Sequence, residues 1–136
     1  MATITKEIKE LSKITSEEWK EWTMTVWNIA NISDSVHPAV FPVEIPYRLL
    51  RMFSFWGETI LDPFSGTGTT GEAALSNGRK YVGFETNSTY YERSTQRLLE
   101  VIQNKNIENA NEAFVIHNHS CLDMASIPDN SIGAVI

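Results

Sequence analysis

Cysteine, long apolar runs and positive charge are all scarce in this chain of 136 residues. The single cysteine, Cys121, has no second thiol with which to form an internal disulfide. No segment approaches the ~18 consecutive apolar residues that a membrane-spanning helix needs. The opening residues MATITKEIKE also lack the apolar stretch of a signal peptide. These absences predict a protein of the reducing cytoplasm with no membrane partner.

Basic residues are outnumbered, since 11 Lys and Arg stand against 17 Asp and Glu and leave a formal net charge of −6. A free-standing nucleic-acid clamp would be basic, so a role on nucleic acid requires a locally cationic surface or another chain. Hydrophobic residues make up 42% and charged residues 21% of the chain. This composition excludes disorder and coiled coil for the whole chain and fits one domain with one core.

The first signal for a helix is the run from Thr15 to Glu18, whose ends form a capping-box pattern. Apolar residues follow at helical spacing and predict one broad stripe on the helix surface. The stripe consists of Trp19, Trp22, Val26 and Trp27. Because each indole buries a large area, we interpret the stripe as packing onto the rest of the molecule rather than as an aromatic ligand cage.

Three prolines at positions 38, 42 and 46 predict a rigid extended loop, since proline fixes the backbone and donates no hydrogen bond. Proline is tolerated in the first turn of a helix, so a helix is predicted from about Pro46 to Trp56. Its predicted inward residues are Ile45, Leu49, Leu50 and Phe53, and its predicted outward residues are Arg48 and Arg51.

From residue 59 onward, short apolar runs alternate with helical patterns. Strands are predicted at 59–62, 81–84, 114–116 and 132–136, and helices at 70–77 and 89–104. This alternation is typical of a parallel sheet with right-handed crossovers. The last strand is apolar on both faces, which suits the interior of a sheet and leaves an adhesive edge where no strand pairs with it.

A glycine-rich turn, GTGTTG at residues 66–71, follows the first strand, and Glu85 ends the second. The G-x-G-x-x-G pattern alone indicates a dinucleotide site. Here, however, residues 62–65 intervene between strand and glycines, and the carboxylate of Asp62 would repel a pyrophosphate. Asp62 could instead attract an ammonium group, while Glu85 accepts hydrogen bonds from ribose hydroxyls. These features together point to S-adenosyl-L-methionine, and a glycine turn without a ligand is the alternative.

A metal site is the alternative interpretation of His117, His119 and Cys121, which share one face of an extended segment. Zinc requires three or four ligands in a closed shell, and the sequence offers no partner pair elsewhere. We therefore interpret the histidines as polar residues at a strand end beside the ligand cleft, Cys121 as a small buried group, and predict no metal.

The segment LDPFSGTGTTGEAALSNGRKYVGFE resembles the cofactor-binding segment of the DNA methyltransferases that modify N4 of cytosine or N6 of adenine. HPAVFPVEIPYRLL and EEWKEWTMTVW resemble the segments that precede it in those enzymes. The resemblance covers about residues 15–105. It implies an α/β, Rossmann-like methyltransferase fold with a partial parallel sheet of about four strands. It also implies an N-terminal helical segment at 1–36 and a cofactor-binding half at 37–136.

The resemblance further implies which residues hold S-adenosyl-L-methionine. The implied cofactor-binding residues are His37, Pro38, Ala39, Phe41, Asp62, Pro63, Phe64, Ser65, Gly66, Thr67, Gly68, Thr69, Thr70, Glu85, Thr86, Asn87 and Ser120. Asp62 and residues 63–70 would hold the methionine part, and residues 37–41 would pack against it. Glu85 would take the ribose, and Phe84 and residues 86–88 would lie near the adenine. The family usually places an aspartate at the end of the third strand to read the adenine edge, and here Ser120 stands at that position. Asp123, in the next turn, is the alternative residue for this contact.

The catalytic tetrapeptide of the family, Ser, Asp or Asn followed by Pro-Pro and an aromatic residue, is absent, because the sequence contains no Pro-Pro. In the family it follows the fourth strand, which SIGAVI resembles. We therefore assign no catalytic residue here and expect a second polypeptide to carry the tetrapeptide and the region that reads double-stranded DNA; a truncated sequence is the other explanation. Cytosine N4 is the expected target. The alternatives are adenine N6, a non-catalytic cofactor-binding module and a nucleotide-dependent oxidoreductase.

Overall fold

The computed structural model describes residues 3–32 and 40–136 as six helices and four strands. The helices are α1 (Lys6–Leu11), α2 (Ser16–Trp22), α3 (Glu44–Phe53), α4 (Thr69–Ser76), α5 (Ser88–Lys105) and α6 (Ala110–Ala113). The strands are β1 (Thr59–Asp62), β2 (Lys80–Phe84), β3 (Phe114–His117) and β4 (Ile132–Val135). None of the helices in these two ranges combines the length and the apolar content needed to cross a bilayer.

The four strands form one parallel sheet in the order β3-β2-β1-β4, which confirms the predicted sheet. Register places Asp62 beside Gly83, and Phe84 beside His117. The carboxyl ends of β1, β2 and β3 therefore meet along one edge, where ligands bind in open α/β sheets. The apolar strand β4 pairs with β1 and lies at the end of the strand order, where Val135 is 62% exposed.

The core lies between the sheet and the helices that cross it. Its buried apolar residues are Leu50, Ile60, Ala73, Ala74, Leu75, Tyr81, Leu98, Ile102, Ala113 and Ile116. Each large buried side chain contributes roughly 1.5–3 kcal/mol relative to exposure. Gly71 allows α4 to approach α5 closely, since a Cβ there would lie 2.8 Å from Leu98 Cδ1. This contact sets α4, and the loop before it, at the sheet edge.

The capping box at the start of α2 is confirmed, because Thr15 Oγ1 accepts from Glu18 N and Glu18 Oε2 accepts from Thr15 N. The prediction of one continuous apolar stripe on a helix through residue 27 is wrong. The helix ends at Trp22, the indole of Trp27 donates to Trp22 O at 2.9 Å, and the chain turns away. Only Trp22 of the four predicted stripe residues is fully buried, whereas Val26 is 70% exposed.

The predicted outward position of Arg48 is also wrong. Arg48 is 9% exposed, and its guanidinium donates to Glu44 and to Glu21, each at 2.8 Å. It also lies 5.9 Å and 5.2 Å from the ring centroids of Trp22 and Trp27. These contacts join α2 and the segment after it to α3. They also stabilise Arg48, because a buried cation is stable only where charges and rings replace water.

The predicted inward position of Phe53 is wrong as well, because the helix ends there. Phe53 is the last residue of α3 and is 65% exposed. The helix begins at Glu44 rather than at Pro46 and ends three residues earlier than predicted. Leu50 supplies the deep contact instead and is fully buried.

Candidate functional site

Three connections meet at the carboxyl edge of the sheet: residues 63–68 after β1, residues 85–87 after β2, and the segment that follows β3. The first connection turns sharply into α4 and contains two glycines in the left-handed region, Gly66 at φ 53° and Gly68 at φ 84°. Such backbone angles disfavour other residues. A Cβ at Gly68 would also lie 3.0 Å from Ser94 Cβ of α5. Glycine is therefore required at residue 68 by both conformation and space.

Four backbone amides of residues 63–68 are bonded inside the protein. The bonds are Phe64 N to Asp62 Oδ1 at 2.9 Å, Ser65 N to Phe84 O at 2.8 Å, Gly66 N to Glu85 Oε2 at 2.8 Å and Gly68 N to Ser65 O at 2.9 Å. A loop that cradles phosphate must instead direct several free N–H groups at the anion. These four amides are therefore bonded within the protein rather than free to bind a pyrophosphate.

Asp62 ends β1 with its carboxylate almost enclosed, at 6% exposure. Burial raises the pKa of Asp62 above its ordinary value, the hydrogen bond from Phe64 N–H opposes the rise, and the charge of Glu85 adds to it. The Tyr81 hydroxyl donates to Ser65 Oγ at 2.8 Å and lies 3.5 Å from Asp62 Oδ2. The site thus contains a buried acidic group whose ionised form a nearby cation would stabilise.

Glu85, directly after β2, joins the first and second connections. Its Oε2 accepts from Gly66 N at 2.8 Å, and its Oε1 accepts from Asn87 N at 2.7 Å. Each carboxylate oxygen has a second lone pair, so the group can accept two further hydrogen bonds from a ligand. The carboxylate is held in place by the backbone and keeps acceptor capacity for a diol.

Arg97 of α5 supports the glycine-rich loop from behind. Its Nε donates to Glu72 Oε2 at 2.6 Å, and its Nη1 donates to Thr67 O at 3.2 Å and to Thr69 Oγ1 at 3.1 Å. Sequence reasoning missed this residue, because 25 to 30 positions separate it from its partners. No local pattern around residue 97 indicates the contact.

An aromatic cluster borders the third connection. Phe84 stacks on His117 with ring centroids 4.7 Å apart and meets His119 edge-on at 5.4 Å. Burial, and then the proximity of His119, lower the pKa of His117. Within residues 3–32 and 40–136, no group of three or more His, Cys, Asp or Glu side chains is placed to hold a metal ion.

A small cleft of about 100 Å³ opens where the three connections meet. Pro63, Phe64, Phe84, Glu85, Thr86, His119, Ser120 and Cys121 line it. A larger cavity of about 470 Å³ lies at the opposite edge of the sheet, between Trp56, Leu75 and Ile107. We assign the site to the carboxyl edge, because ligands of open α/β sheets bind there and the convergent carboxylates are there.

The structure brings the residues of the predicted site at 62–70, 85–87 and 120 to this one edge. Ser65, Thr67, Thr69 and Thr70 are buried within the loop or the start of α4. The Asn87 side chain caps α5 by accepting from Tyr90 N at 3.1 Å. Phe41 is 39% exposed, whereas His37, Pro38 and Ala39 lie outside the described residues.

A family model described as DNA methylase, of the N6/N4 type, matches residues 2–96. The Type II methyltransferase M.BglI of Bacillus subtilis is 34% identical over 116 residues, covering 82% of this chain and 32% of that protein. M.MjaI of Methanocaldococcus jannaschii, also a Type II methyltransferase, is 43% identical over 84 residues, covering 57% and 27%. The chain thus spans about a third or less of the length of these curated relatives.

The fold also resembles that of a solved methylase. A protein of Thermus thermophilus, described as a DNA modification methylase and crystallised with S-adenosyl-L-methionine, superposes with a TM-score of 0.63. It is 31% identical, and the match covers 85% of this chain and 42% of that one. The family and the fold expected from DPFSGTGTT and its flanking segments are confirmed. This chain belongs to the N6/N4 DNA methylase family.

Proposed function

We propose that this chain is the S-adenosyl-L-methionine-binding portion of a site-specific DNA methyltransferase of the cytosine-N4 or adenine-N6 type. The observation that carries the proposal is the glycine-rich loop, which lies between the carboxylates of Asp62 and Glu85 and has four of its amides bonded internally. This arrangement suits a ligand with a cationic amino-acid end and a ribose, and it opposes a pyrophosphate.

The chemistry of the residues fits the cofactor at both ends. Asp62 places a negative charge beneath the loop, and a ligand ammonium would offset the unfavourable burial of that charge. Glu85 keeps lone pairs for two ribose hydroxyls while the backbone holds it. The buried Thr70 hydroxyl lies beside Asp62 and, like the Phe64 N–H, opposes the rise in the pKa of that carboxyl.

When bound, S-adenosyl-L-methionine supplies an electrophilic methyl group for direct transfer to the exocyclic nitrogen of a base flipped out of the duplex. Residues of this chain hold and orient the cofactor in the proposal, and none of them is assigned to the transfer itself. In the family the flipped amine is held by the Pro-Pro tetrapeptide, which these residues do not contain. We propose that a second polypeptide carries that segment and the surface that reads double-stranded DNA.

The target base and the biological setting are finer proposals. We propose cytosine N4 as the acceptor, on the strength of the tryptophan-rich segment and HPAVFP. The Type II names of the relatives support a role in restriction and modification. The single cysteine supports a cytoplasmic site of action.

Calorimetric titration of the chain tests cofactor binding. S-adenosylhomocysteine and S-adenosylmethionine should bind, and NAD⁺ should not. Glu85→Gln should lower the affinity for S-adenosylhomocysteine about 10-fold or more, because the substitution removes the charge that strengthens hydrogen bonds from the ribose. Glu112→Gln is the matched control, since Glu112 is an exposed acid on α6 near the opposite edge. Binding of NAD⁺ as tight as that of S-adenosylhomocysteine would overturn the assignment.

Transfer of labelled methyl groups to DNA tests the remaining parts of the proposal. The chain alone should be inactive, and activity should appear with a polypeptide that carries the tetrapeptide. Nucleoside analysis of the product should give N4-methylcytosine. Detection of N6-methyladenine instead would show that the acceptor is adenine N6. Methyl transfer by the isolated chain would refute the proposal that a second polypeptide is required. Cofactor binding without transfer under any pairing would favour the non-catalytic module.

A further inference from the structure

The hydroxyl of Tyr81 reaches the carboxyl edge of the sheet, although the residue itself lies inside β2. Tyr81 pairs in register with Ile60, two residues before the pair of Asp62 and Gly83. Two residues advance a strand by about 6.5 Å and return the side chain to the same face. The tyrosine ring covers that distance, since its Oη lies 2.8 Å from Ser65 Oγ. The loop after β1 is thus contacted from within the neighbouring strand.

The Tyr81 side chain is closely packed, and the residue is 1% exposed. A Cβ at Gly71 of α4 would lie 2.9 Å from Tyr81 Cε1. A Cβ at Gly83 would lie 2.8 Å from Tyr81 Oη and 2.9 Å from Ser65 Oγ. The two glycines therefore leave the space that the ring and the pair of hydroxyls occupy. A donor fixed in this way is preorganised, so less freedom remains to be lost when a ligand orders the loop.

The Tyr81 hydroxyl is a donor and fixes Ser65 to β2. Burial, and then the charge of Asp62, raise the pKa of Tyr81 well above its ordinary value, so the hydroxyl keeps its hydrogen. That hydrogen goes to Ser65 Oγ, while Ser65 N donates to Phe84 O at 2.8 Å. Both the side chain and the backbone of Ser65 are therefore bonded to one strand, directly before the first glycine of the turn.

The same hydroxyl lies 3.5 Å from Asp62 Oδ2 and favours the ionised form of that carboxyl. The groups that face Asp62 are the Phe64 N–H, the Thr70 hydroxyl of α4, the Tyr81 hydroxyl of β2 and the Glu85 carboxylate. Burial raises the pKa of Asp62, the first three groups oppose the rise, and the charge of Glu85 adds to it. Removal of the Tyr81 hydroxyl should therefore raise this pKa further.

We propose that Tyr81 is a positioning residue for S-adenosyl-L-methionine, because its hydroxyl fixes Ser65 and supports the carboxylate of Asp62 from the neighbouring strand. This inference rests on the proposed function and names a buried residue that sets the geometry and the charge of the same site. Tyr81 acts through its two neighbours. A phenylalanine would fill nearly the same space and lack only the oxygen, so packing alone does not account for the tyrosine.

Calorimetric titration of Tyr81→Phe with S-adenosylhomocysteine tests the inference on the full chain. The affinity at neutral pH should fall about 3- to 10-fold, as expected for the loss of one hydrogen bond. Tyr47→Phe is the matched control and should keep the wild-type affinity. Tyr47 is a half-buried tyrosine of α3 whose ring meets Trp22 edge-on at 5.7 Å. Urea denaturation of both variants shows whether each is folded.

The pH dependence of the affinity separates positioning from general support. The ligand ammonium pairs with ionised Asp62, so the affinity should fall as the pH is lowered through the pKa of Asp62. Tyr81→Phe should move the midpoint of this fall to higher pH, because the ionised carboxylate has lost a donor. In an Asp62→Asn background, adding Tyr81→Phe should leave the remaining pH dependence unshifted, since the carboxyl is gone.

An unchanged affinity and an unshifted midpoint in Tyr81→Phe would overturn the inference and leave the proposed function standing. A loss of affinity that is equal at every pH would also overturn it, because Tyr81 would then support the loop without acting on Asp62. The same upward shift in Tyr47→Phe would overturn it as well. Failure of the wild type to bind S-adenosylhomocysteine would overturn both the inference and the proposed function.

Discussion

The loop after β1 and the segment after β3 border the same cleft but are held in different ways. In the first, Ser65 and Thr67 are at most 5% exposed, whereas Phe64 is 79% exposed, and the amides of Ser65 and Gly66 bond to β2 and to Glu85. The second is mostly exposed, with Leu122 at 94%, and bonds largely within its own turns. Asn118 links it to Glu85 O at 2.9 Å.

The loop after β1 is therefore largely built into the core, whereas the segment after β3 is attached to the core from outside. Changes in the loop after β1 should therefore alter stability and cofactor affinity together. Changes in the segment after β3 should alter ligand selection or nothing, because few of its side chains are buried. The two kinds of response can be separated by measuring the free energy of unfolding and the dissociation constant on the same variants.

Gly68→Ala should have the largest effect. A left-handed conformation costs an alanine about 1–2 kcal/mol, and overpacking against Ser94 adds about 1–3 kcal/mol. We expect the free energy of unfolding to fall by about 2–5 kcal/mol in urea denaturation. S-adenosylhomocysteine affinity should fall by at least about 10-fold, because the loop must shift to relieve the contact.

Gly57→Ala provides the matched control for this variant. Gly57 has nearly the same backbone angle, φ 85° against 84°, but a Cβ there meets nothing within 4 Å. It should lose only about 1–2 kcal/mol and keep its cofactor affinity. Equal losses of affinity in the two variants would contradict the claim that the loop after β1 sets the site.

Asp62→Asn should weaken binding of the cofactor and raise the free energy of unfolding. The amide oxygen can still accept from Phe64 N, but the charge that attracts the ammonium is gone. We expect about a 10-fold loss of S-adenosylhomocysteine affinity, from the loss of a charge-assisted contact. The free energy of unfolding at neutral pH should rise, because the variant no longer buries a carboxylate.

The pH dependence checks this explanation. Burial raises the pKa of Asp62 in the folded protein, so the folded state binds that proton more tightly than the unfolded state. The stability contributed by this group falls as the pH rises from the ordinary aspartate range through the raised pKa. The advantage of Asp62→Asn should thus shrink as the pH is lowered through that window. Asp62→Ala also removes the acceptor for Phe64 N, and it should lose affinity without the same gain in stability.

Much of the fold follows from local signals. Strand, glycine turn and helix repeat clearly between residues 59 and 105, and the observed bounds differ from the predicted ones by one residue at most. The short helices α1 and α6 were missed, since four to six residues carry little periodicity. The predicted face of Arg48 is wrong, because its contacts with Glu21 and Trp27 join distant parts of the chain. The predicted face of Phe53 is wrong, because the helix ends at that residue.

The candidate site divides in the same way. Asp62, the glycines and Glu85 are adjacent to strand ends and could be found from sequence and resemblance. The internal bonding of the loop amides could not, because it depends on the register that places β2 beside β1. The contact of Arg97 with the loop likewise depends on tertiary geometry alone.

Arg97→Gln should have a smaller effect than the loop variants. It removes the ion pair with Glu72 and the bonds to Thr67 and Thr69, at a side chain that is 26% exposed. We expect a loss of about 1 kcal/mol in the free energy of unfolding and a roughly threefold loss of affinity, since a looser loop must be ordered on binding. Arg97→Lys should recover part of both. A loss of stability with unchanged affinity would show that Arg97 supports the helices but not the site.

Leu122→Ser should have the smallest effect and tests the other side of the comparison. Leu122 is 94% exposed in the segment after β3, and its backbone amide, not its side chain, bonds to Ser120 Oγ. Surface substitutions of this kind usually change stability by less than about 0.5 kcal/mol. The free energy of unfolding and the S-adenosylhomocysteine affinity should both stay at the wild-type values, because neither the core nor the turn uses the leucine side chain. A loss above about 1 kcal/mol would mean that the segment packs onto the protein in solution, and the contrast between a built-in and an attached side of the cleft would then fail.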